Sequence, residues 1–133
     1  MPQYQKAVEK SRAAEAITSA RAIKNAQEIY YLANGKYADN MDELDVTVSI
    51  PKGFLLTFVP AGDAMIQYTR NSSIYTYNIL FGFDHREDAS LGHIGNIAYC
   101  SAPVSNSNGI SLCKSLGEKI ELWNDSYERY RLN

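Results

Sequence analysis

The first third of this 133-residue sequence has few of the residues that interrupt regular structure. No proline occurs between Pro2 and Pro51, and no glycine precedes Gly35. The whole chain has only two cysteines and one tryptophan. No stretch approaches the roughly 18 consecutive apolar residues that a membrane-spanning helix needs. These absences predict an uninterrupted helix at the start of the sequence and no membrane span within it.

Sequence motifs that mark enzyme active sites are also missing. The chain has no glycine-rich phosphate loop and no HExxH, GxSxG or CxxC pattern. His85 lies beside Arg86, Glu87 and Asp88, and a histidine in such a charged stretch is more often a solvated side chain than a general base. We therefore predict that the protein is not an enzyme and binds no cofactor.

A group of four acidic residues, Asp39, Asp42, Glu43 and Asp45, follows the predicted helix. This group lacks the alternating ligand positions and the turn glycine of a calcium-binding EF-hand loop. We interpret Asp42 as the start of a short helical turn before Leu44, and we predict no metal site.

The overall composition is typical of a folded globular domain, with 45% hydrophobic and 21% charged residues. The length predicts one domain, residues 1–133. The formal net charge of −2 does not favour nucleic acid or an anionic membrane as a partner. However, residues 1–37 carry a net charge of +3, from six basic and three acidic groups. Residues 38–133 carry a net charge of −5, from seven basic and twelve acidic groups. Two explanations stay open: self-association of a basic end with an acidic body, and ordinary solvated surfaces.

Alanine, glutamine and charged residues dominate the first third, and these are good helix formers. Apolar side chains recur in steps of three and four residues and form one stripe. Asn34 and Gly35 favour the left-handed conformation that ends many helices. We predict a helix from Gln3 to Ala33, about 45 Å long. The predicted stripe is Ala13, Ala16, Ile17, Ala20, Ile23, Ala26, Tyr30 and Ala33.

A helix of this length is longer than the body it joins, because a domain of this size is about 30–35 Å across. We expect residues 3–12 to project beyond the sheet or to pack on another molecule. The C-terminal half is expected to cover the sheet with Ile17, Ile23, Ile29 and the segment Tyr30–Leu32.

The rest of the chain is predicted to form a small antiparallel sheet of about three or four strands, so the predicted fold class is α+β. Residues 35–53 are predicted to connect the helix, residues 1–34, to the sheet region, residues 54–133. The polar stretch 82–96 is predicted to be a loop. Candidate strands are Phe54–Val59, Met65–Thr69, Ile74–Phe81, a short one at Ile97–Tyr99 and a last one at Tyr127–Leu132.

The two cysteines, Cys100 and Cys113, enclose twelve turn-rich residues. A structural disulfide, two free buried thiols and a metal site with His85 and His93 are all compatible with the sequence. The metal site is least favoured, because zinc ligands normally come in close pairs. A disulfide across this loop contributes about 3 kcal/mol in the chain-entropy model. We predict a disulfide that bounds a C-terminal loop.

Two N-terminal segments resemble the type IV pilin family, which includes the pseudopilins of type II secretion. Residues 2–16, PQYQKAVEKSRAAEA, resemble the part of a pilin helix that directly follows its hydrophobic spine. Residues 25–37, NAQEIYYLANGKY, with Leu44 shortly after, resemble the end of that helix and the turn beyond it. The C-terminal cysteine pair and the tail ending in Tyr130–Leu132 are similar to the disulfide-bounded region of many pilins.

This resemblance implies a pilin-like fold and a structural subunit of a type IV pilus-like filament, which acts in adhesion, motility or DNA uptake. Pilins carry an apolar anchor of about twenty residues, and we expect that this anchor has been removed upstream of Pro2. The implied partners are copies of the same chain, other pilins and the inner-membrane assembly machinery. The implied location is an extracellular pilus, built from an inner-membrane-anchored precursor with a periplasmic head.

The predicted assembly surface lies at the N-terminal end of the helix and is expected to meet acidic residues in the head of a neighbouring copy. Its residues are Tyr4, Lys6, Ala7, Val8, Lys10 and Arg12. The alternative functions are a pseudopilin of a type II secretion system and a tip adhesin or DNA-binding minor pilin. Calcium-dependent pseudopilins generally lack a C-terminal disulfide, so the cysteine pair favours a pilin.

Overall fold

A computed structural model of the protein describes residues 3–59, 65–85, 97–120 and 126–132. Within these ranges a long helix is followed by four strands, a short helix and two more strands. The predicted α+β class is confirmed. The elements are α1 (Gln3–Asn34), β1 (Phe54–Val59), β2 (Met65–Asn71), β3 (Thr76–Gly82), β4 (Ala98–Pro103), α2 (Ser107–Leu116), β5 (Gly117–Ile120) and β6 (Tyr127–Leu132).

The six strands form one antiparallel sheet in the order β1-β2-β3-β4-β6-β5. The predicted number of about three or four strands is wrong. Strand β5 is only four residues long and contains Glu118 and Lys119, so it lacks the apolar alternation by which strands are recognised. It is held by pairing with β6, where Gly117 faces Leu132. The predicted bounds of the first and last strands are confirmed.

Helix α1 packs one side against the sheet. Ala13, Ala16, Ala20 and Ile23 are fully buried there, which confirms the centre of the predicted stripe, whereas Ala33 is exposed. The helix ends at the predicted place, because Gly35 has a φ of 73° and its N–H bonds the carbonyl of Tyr31 at 2.8 Å. No helix in the described ranges combines the length and apolar character needed to cross a membrane.

Two expectations about α1 are corrected. Ile29 and Leu32 do not cover the sheet, because they lie on the side of the helix opposite the buried stripe and are 68% and 82% exposed. The N-terminal end is also less free than expected. Glu9 is buried against the sheet, and Lys6 Nζ donates a hydrogen bond to Ser111 Oγ in α2 at 2.9 Å. The contacts of α1 with its own chain therefore reach back to Lys6.

Helix α2 lies between the two cysteines and beyond, where the sequence predicts only a loop. The side chain of Asn106 caps it by accepting the N–H of Gly109 at 2.6 Å. A disulfide joins Cys100 in β4 to Cys113 in α2, as predicted, and both residues are fully buried. The disulfide therefore holds a helix on the sheet. Of the loop predicted for residues 82–96, Gly82 belongs to β3 and residues 86–96, including His93, lie outside the described residues.

Candidate functional site: the outer face of the long helix

A buried ion pair fixes the N-terminal half of α1 to the sheet. Arg70 in β2 donates from Nε and Nη2 to the two carboxylate oxygens of Glu9, at 2.9 and 3.1 Å. The hydroxyl of Tyr77 in β3 donates to the same carboxylate at 2.6 Å. The side chain of Glu9 is only 3% exposed. Burial opposes its charge, but the bonds from Arg70 and Tyr77 outweigh burial and hold the pKa of Glu9 below its ordinary value.

Gln27 fixes the C-terminal half of α1 to the connecting segment. Its amide donates to the carbonyl of Ala38 at 2.8 Å and accepts the Ala38 N–H at 2.7 Å. Gln27 is fully buried, so these two bonds satisfy both ends of its side chain. The chain that leaves the helix is thereby turned back along α1.

The C-terminal end of α1 is held by a polar and aromatic cluster. The hydroxyl of Tyr37 donates to Glu28 at 2.7 Å and accepts the N–H of His85 at 3.0 Å. The ring of Tyr31 stacks on the imidazole of His85 at 4.0 Å between centroids. Burial and the neighbouring Glu28 raise the pKa of the Tyr37 hydroxyl above its ordinary value. His85, expected to be only a solvated side chain, therefore packs on the end of the helix although it remains exposed.

The outer face of α1, which points away from the sheet, carries a continuous uncharged stripe. Its residues recur in steps of three and four, so they lie in one row along the whole helix. The middle of the row consists of small side chains, and large apolar side chains stand at its two ends, with Tyr4 77% exposed. We call this row the outer stripe: Tyr4, Ala7, Ser11, Ala14, Thr18, Ala22, Asn25, Ile29 and Leu32.

A groove of about 590 Å³ runs beside the middle of the outer stripe. Ser11, Ala14 and Thr18 line its helix side, and the extended segment Thr47–Ser49 lines the other. Glu15 also lines the helix side, so the groove combines small apolar and hydroxyl-bearing side chains with one carboxylate.

The six residues of the predicted assembly surface do not share one face. Tyr4 and Ala7 belong to the outer stripe, and Lys10 is exposed beside them. Lys6 reaches α2 through Ser111. Val8 is half-buried, and Arg12 lies 4.0 Å from the carboxylate of Glu9 on the sheet side. The structure thus groups Tyr4, Ala7 and Lys10 and separates them from Lys6, Val8 and Arg12.

A basic group and an acidic group lie far apart along the axis of α1. Lys6, Lys10 and Arg12 are near its N-terminal end. The four acidic residues of 39–45 are exposed on the connecting segment, which starts beside Gln27. In the described part of the chain, no ion pair joins the two groups. Lys10 and Gln27 are about 25 Å apart along the helix axis at 1.5 Å per residue, well beyond the screening length of about 8 Å at physiological salt.

The acidic segment has a local structural explanation. Residues Met41–Glu43 form the short helical turn predicted before Leu44, and Asn40, rather than Asp42, caps it by accepting the N–H of Glu43 at 3.2 Å. Glu43 in turn accepts the N–H of Asp39 at 3.0 Å. Within the described residues, no group of three or more histidine, cysteine or acidic side chains is arranged to hold a metal ion.

No protein-family model, curated protein or solved structure matches this chain.

The outer stripe is the feature that sequence reasoning missed, although a signal for it was present. Ile29 lies six residues after Ile23, which places the two on different sides of a helix with 3.6 residues per turn. Ile29 and Leu32 are one turn apart and in line with Tyr4. An apolar pair out of phase with the buried stripe predicts a second contact face.

Proposed function

We propose that the protein is a structural subunit of a pilin-like filament, in which α1 packs on its own sheet with one face and on neighbouring subunits with the other. One observation carries this proposal: large apolar side chains stay exposed in line with small ones along the side of α1 that faces away from the sheet. Contiguous apolar surface that stays exposed often marks a contact with another molecule, and Ile29 and Leu32 lie side by side on this face. Small side chains between them allow another helix to approach closely.

The resemblance of residues 2–16 and 25–37 to pilins supports the same function. The long N-terminal helix, the antiparallel sheet and the disulfide between Cys100 and Cys113 agree with a pilin-like fold. The proposal includes an apolar anchor that precedes these residues in the complete gene product. It places the head in the periplasm before assembly and on an extracellular filament afterwards, with inner-membrane assembly proteins and other pilins as partners. The disulfide favours a pilin over a calcium-dependent pseudopilin.

Substitution of Ile29 and Leu32 tests the proposal in cells that produce the complete gene product. The double variant Ile29→Gln, Leu32→Gln replaces the exposed apolar pair by glutamine. Glutamine is a good helix former and leaves the net charge unchanged. We expect it to abolish surface filaments in electron micrographs, while the melting temperature of the isolated 133-residue chain stays the same. Thr57→Gln is the matched control, because Thr57 is exposed in β1, and it should leave the filaments intact. Filaments of unchanged number in the double variant would contradict the proposal.

A further inference from the structure

We propose that β1 of this chain pairs edge to edge with β1 of a second copy, so that the two antiparallel sheets join into one. The contact has a two-fold axis perpendicular to the sheet. Because α1 lies along the sheet, this axis reverses the direction of α1 in the second copy. The contact therefore does not join neighbours in a filament of equally directed helices, and the inference goes beyond the proposed function.

Strand β1 is an edge strand that carries no charge. It stands at one end of the strand order and has the sequence FLLTFV. Leu55 is 66% exposed, and Thr57 is exposed on the same side of the sheet, away from α1. Edge strands of soluble proteins are usually short, charged or bulged, which prevents pairing with another chain. Strand β5 at the opposite end follows this rule, because it has four residues and contains Glu118 and Lys119.

The ladder of backbone bonds shows which groups point to the open edge of β1, the edge turned away from β2. Ser72 N–H bonds the carbonyl of Tyr75 at 2.8 Å in the β2–β3 turn. Bonded pairs recur at every second residue, so even-numbered residues of β2 bond β3, and odd-numbered ones bond odd-numbered residues of β1. The N–H and C=O groups of Leu56 and Phe58 therefore point outward. Among the described residues, neither makes a backbone bond outside the sheet ladder.

These outward groups set the orientation of the second copy. Each new bond joins an even-numbered residue of one β1 to an even-numbered residue of the other. The core-facing side chains of both copies, Phe54, Leu56 and Phe58, then lie on the same side of the joined sheet. In the register centred on Thr57, Leu56 exchanges both backbone bonds with Phe58 of the second copy.

The side chains agree with this register. Thr57 meets Thr57 at the two-fold axis, and the exposed Leu55 lies opposite Val59. A register centred on Leu56 places Leu55 opposite the hydroxyl of Thr57 and covers less apolar surface. Matched cross-strand pairs stabilise antiparallel sheets, and two uncharged strands meet without repulsion. The open edge is thus complementary to itself in backbone bonding and in charge, which assigns a second copy of the chain as its partner.

Sedimentation of the 133-residue chain at concentrations up to about 1 mM tests the contact. We expect a monomer–dimer equilibrium. Thr57→Lys places two like charges opposite each other at the two-fold axis and should raise the dimer dissociation constant about tenfold or more, with an unchanged melting temperature. Ser73→Lys is the matched control, because it adds the same charge at an exposed position of the β2–β3 turn. It should leave the dissociation constant unchanged.

Two further measurements test the register. Residues that face each other between bonded pairs are close enough for a disulfide, so mild oxidation of Thr57→Cys should give a cross-linked dimer, and Ser73→Cys should not. Amide hydrogen exchange of Leu56 and Phe58 should slow as the concentration of the unsubstituted chain rises. Exchange of Leu55 and Thr57 should not change, because their N–H groups already bond β2.

Three results would overturn the inference. A chain that is monomeric over the whole concentration range leaves the open edge to a different partner, such as an unrelated extended peptide. A dimer that Thr57→Lys does not weaken uses another surface. A dimer that gives no cross-link in Thr57→Cys has a different register.

Discussion

Glu9 is the residue on which the position of α1 depends most directly. A carboxylate that is 3% exposed is costly to bury, and the two bonds from Arg70 and the bond from Tyr77 offset this cost. Removal of one partner from such a pair leaves the other charge buried and unpaired. The pair therefore fixes the register of the helix on the sheet, and through it the direction of the outer stripe.

Glu9→Gln is expected to lower the free energy of unfolding by about 3–5 kcal/mol, because it leaves the guanidinium of Arg70 without its counter-charge. Urea denaturation of the 133-residue chain measures this loss. Glu15→Gln makes the same change at an exposed position of the same helix and should change stability by less than about 0.5 kcal/mol. Equal effects of the two variants would show that the ion pair does not hold the helix.

The contribution of Glu9 should also depend on pH. Its pKa in the folded protein is below the ordinary value of 4.5, so its stabilising effect is complete above pH 4.5 and is lost as the pH falls through the folded pKa. The difference in stability between the unsubstituted chain and Glu9→Gln should therefore be constant near neutral pH and shrink in acid. A difference that grows in acid would contradict the assignment.

Gln27 gives a second test at the residue scale. Gln27→Leu is expected to destabilise the protein by about 1–3 kcal/mol for each of the two Ala38 backbone groups left unpaired. Gln5→Leu is the same substitution at an exposed position of α1 and should have little effect on the urea midpoint. No loss in Gln27→Leu would mean that the connecting segment is held elsewhere.

At the scale of elements, the disulfide and α2 form one unit. Cys100 lies in the sheet and Cys113 in the helix, so the bond limits how far α2 can move when the chain unfolds. Replacement of both cysteines by alanine is expected to cost about 3 kcal/mol in the chain-entropy model. In this variant the rate of backbone amide hydrogen exchange should increase mainly in α2 and less in the paired strands β2 and β3. Uniform acceleration across the sheet would show that the disulfide stabilises the fold only globally.

The same scale shows what local sequence can predict. Helix α1 and strands β1 and β6 follow from alanine content, apolar alternation and turn residues nearby, and their predicted bounds agree with the structure to within one residue. Strand β5 depends on pairing with β6 and has little signal of its own. Helix α2 has a local signal, since the Asn106 cap precedes apolar residues at steps of three and four, but the abundance of serine and glycine favours a loop.

The candidate site was also predictable only in part, because some of its contacts join segments that are far apart in the sequence. Exposed Tyr4, Ala7 and Lys10 follow from their place on the helix, whereas the burial of Glu9 depends on Arg70, 61 residues away in the sequence. Lys6 is likewise drawn to Ser111 by packing that arises between distant segments. Contacts of this kind require the fold, because no local pattern encodes them.

For the whole molecule, α1 is a two-sided element. One side is closed by the sheet, by α2 and by the bonds of Glu9 and Gln27, so the helix cannot rotate to bury its other side. The outer stripe therefore remains available to a neighbour. In the proposed filament, a rigid subunit of this kind would join its neighbours without first rearranging.

Immunogold electron microscopy tests whether this chain is a filament subunit. Antibodies raised against the 133-residue chain are applied to cells that produce the complete gene product and to cells in which the gene has been deleted. We expect gold particles along surface filaments in the first cells and no label in the second. Label confined to the cell body, with filaments absent or unlabelled, would contradict the proposal that this chain is a filament subunit.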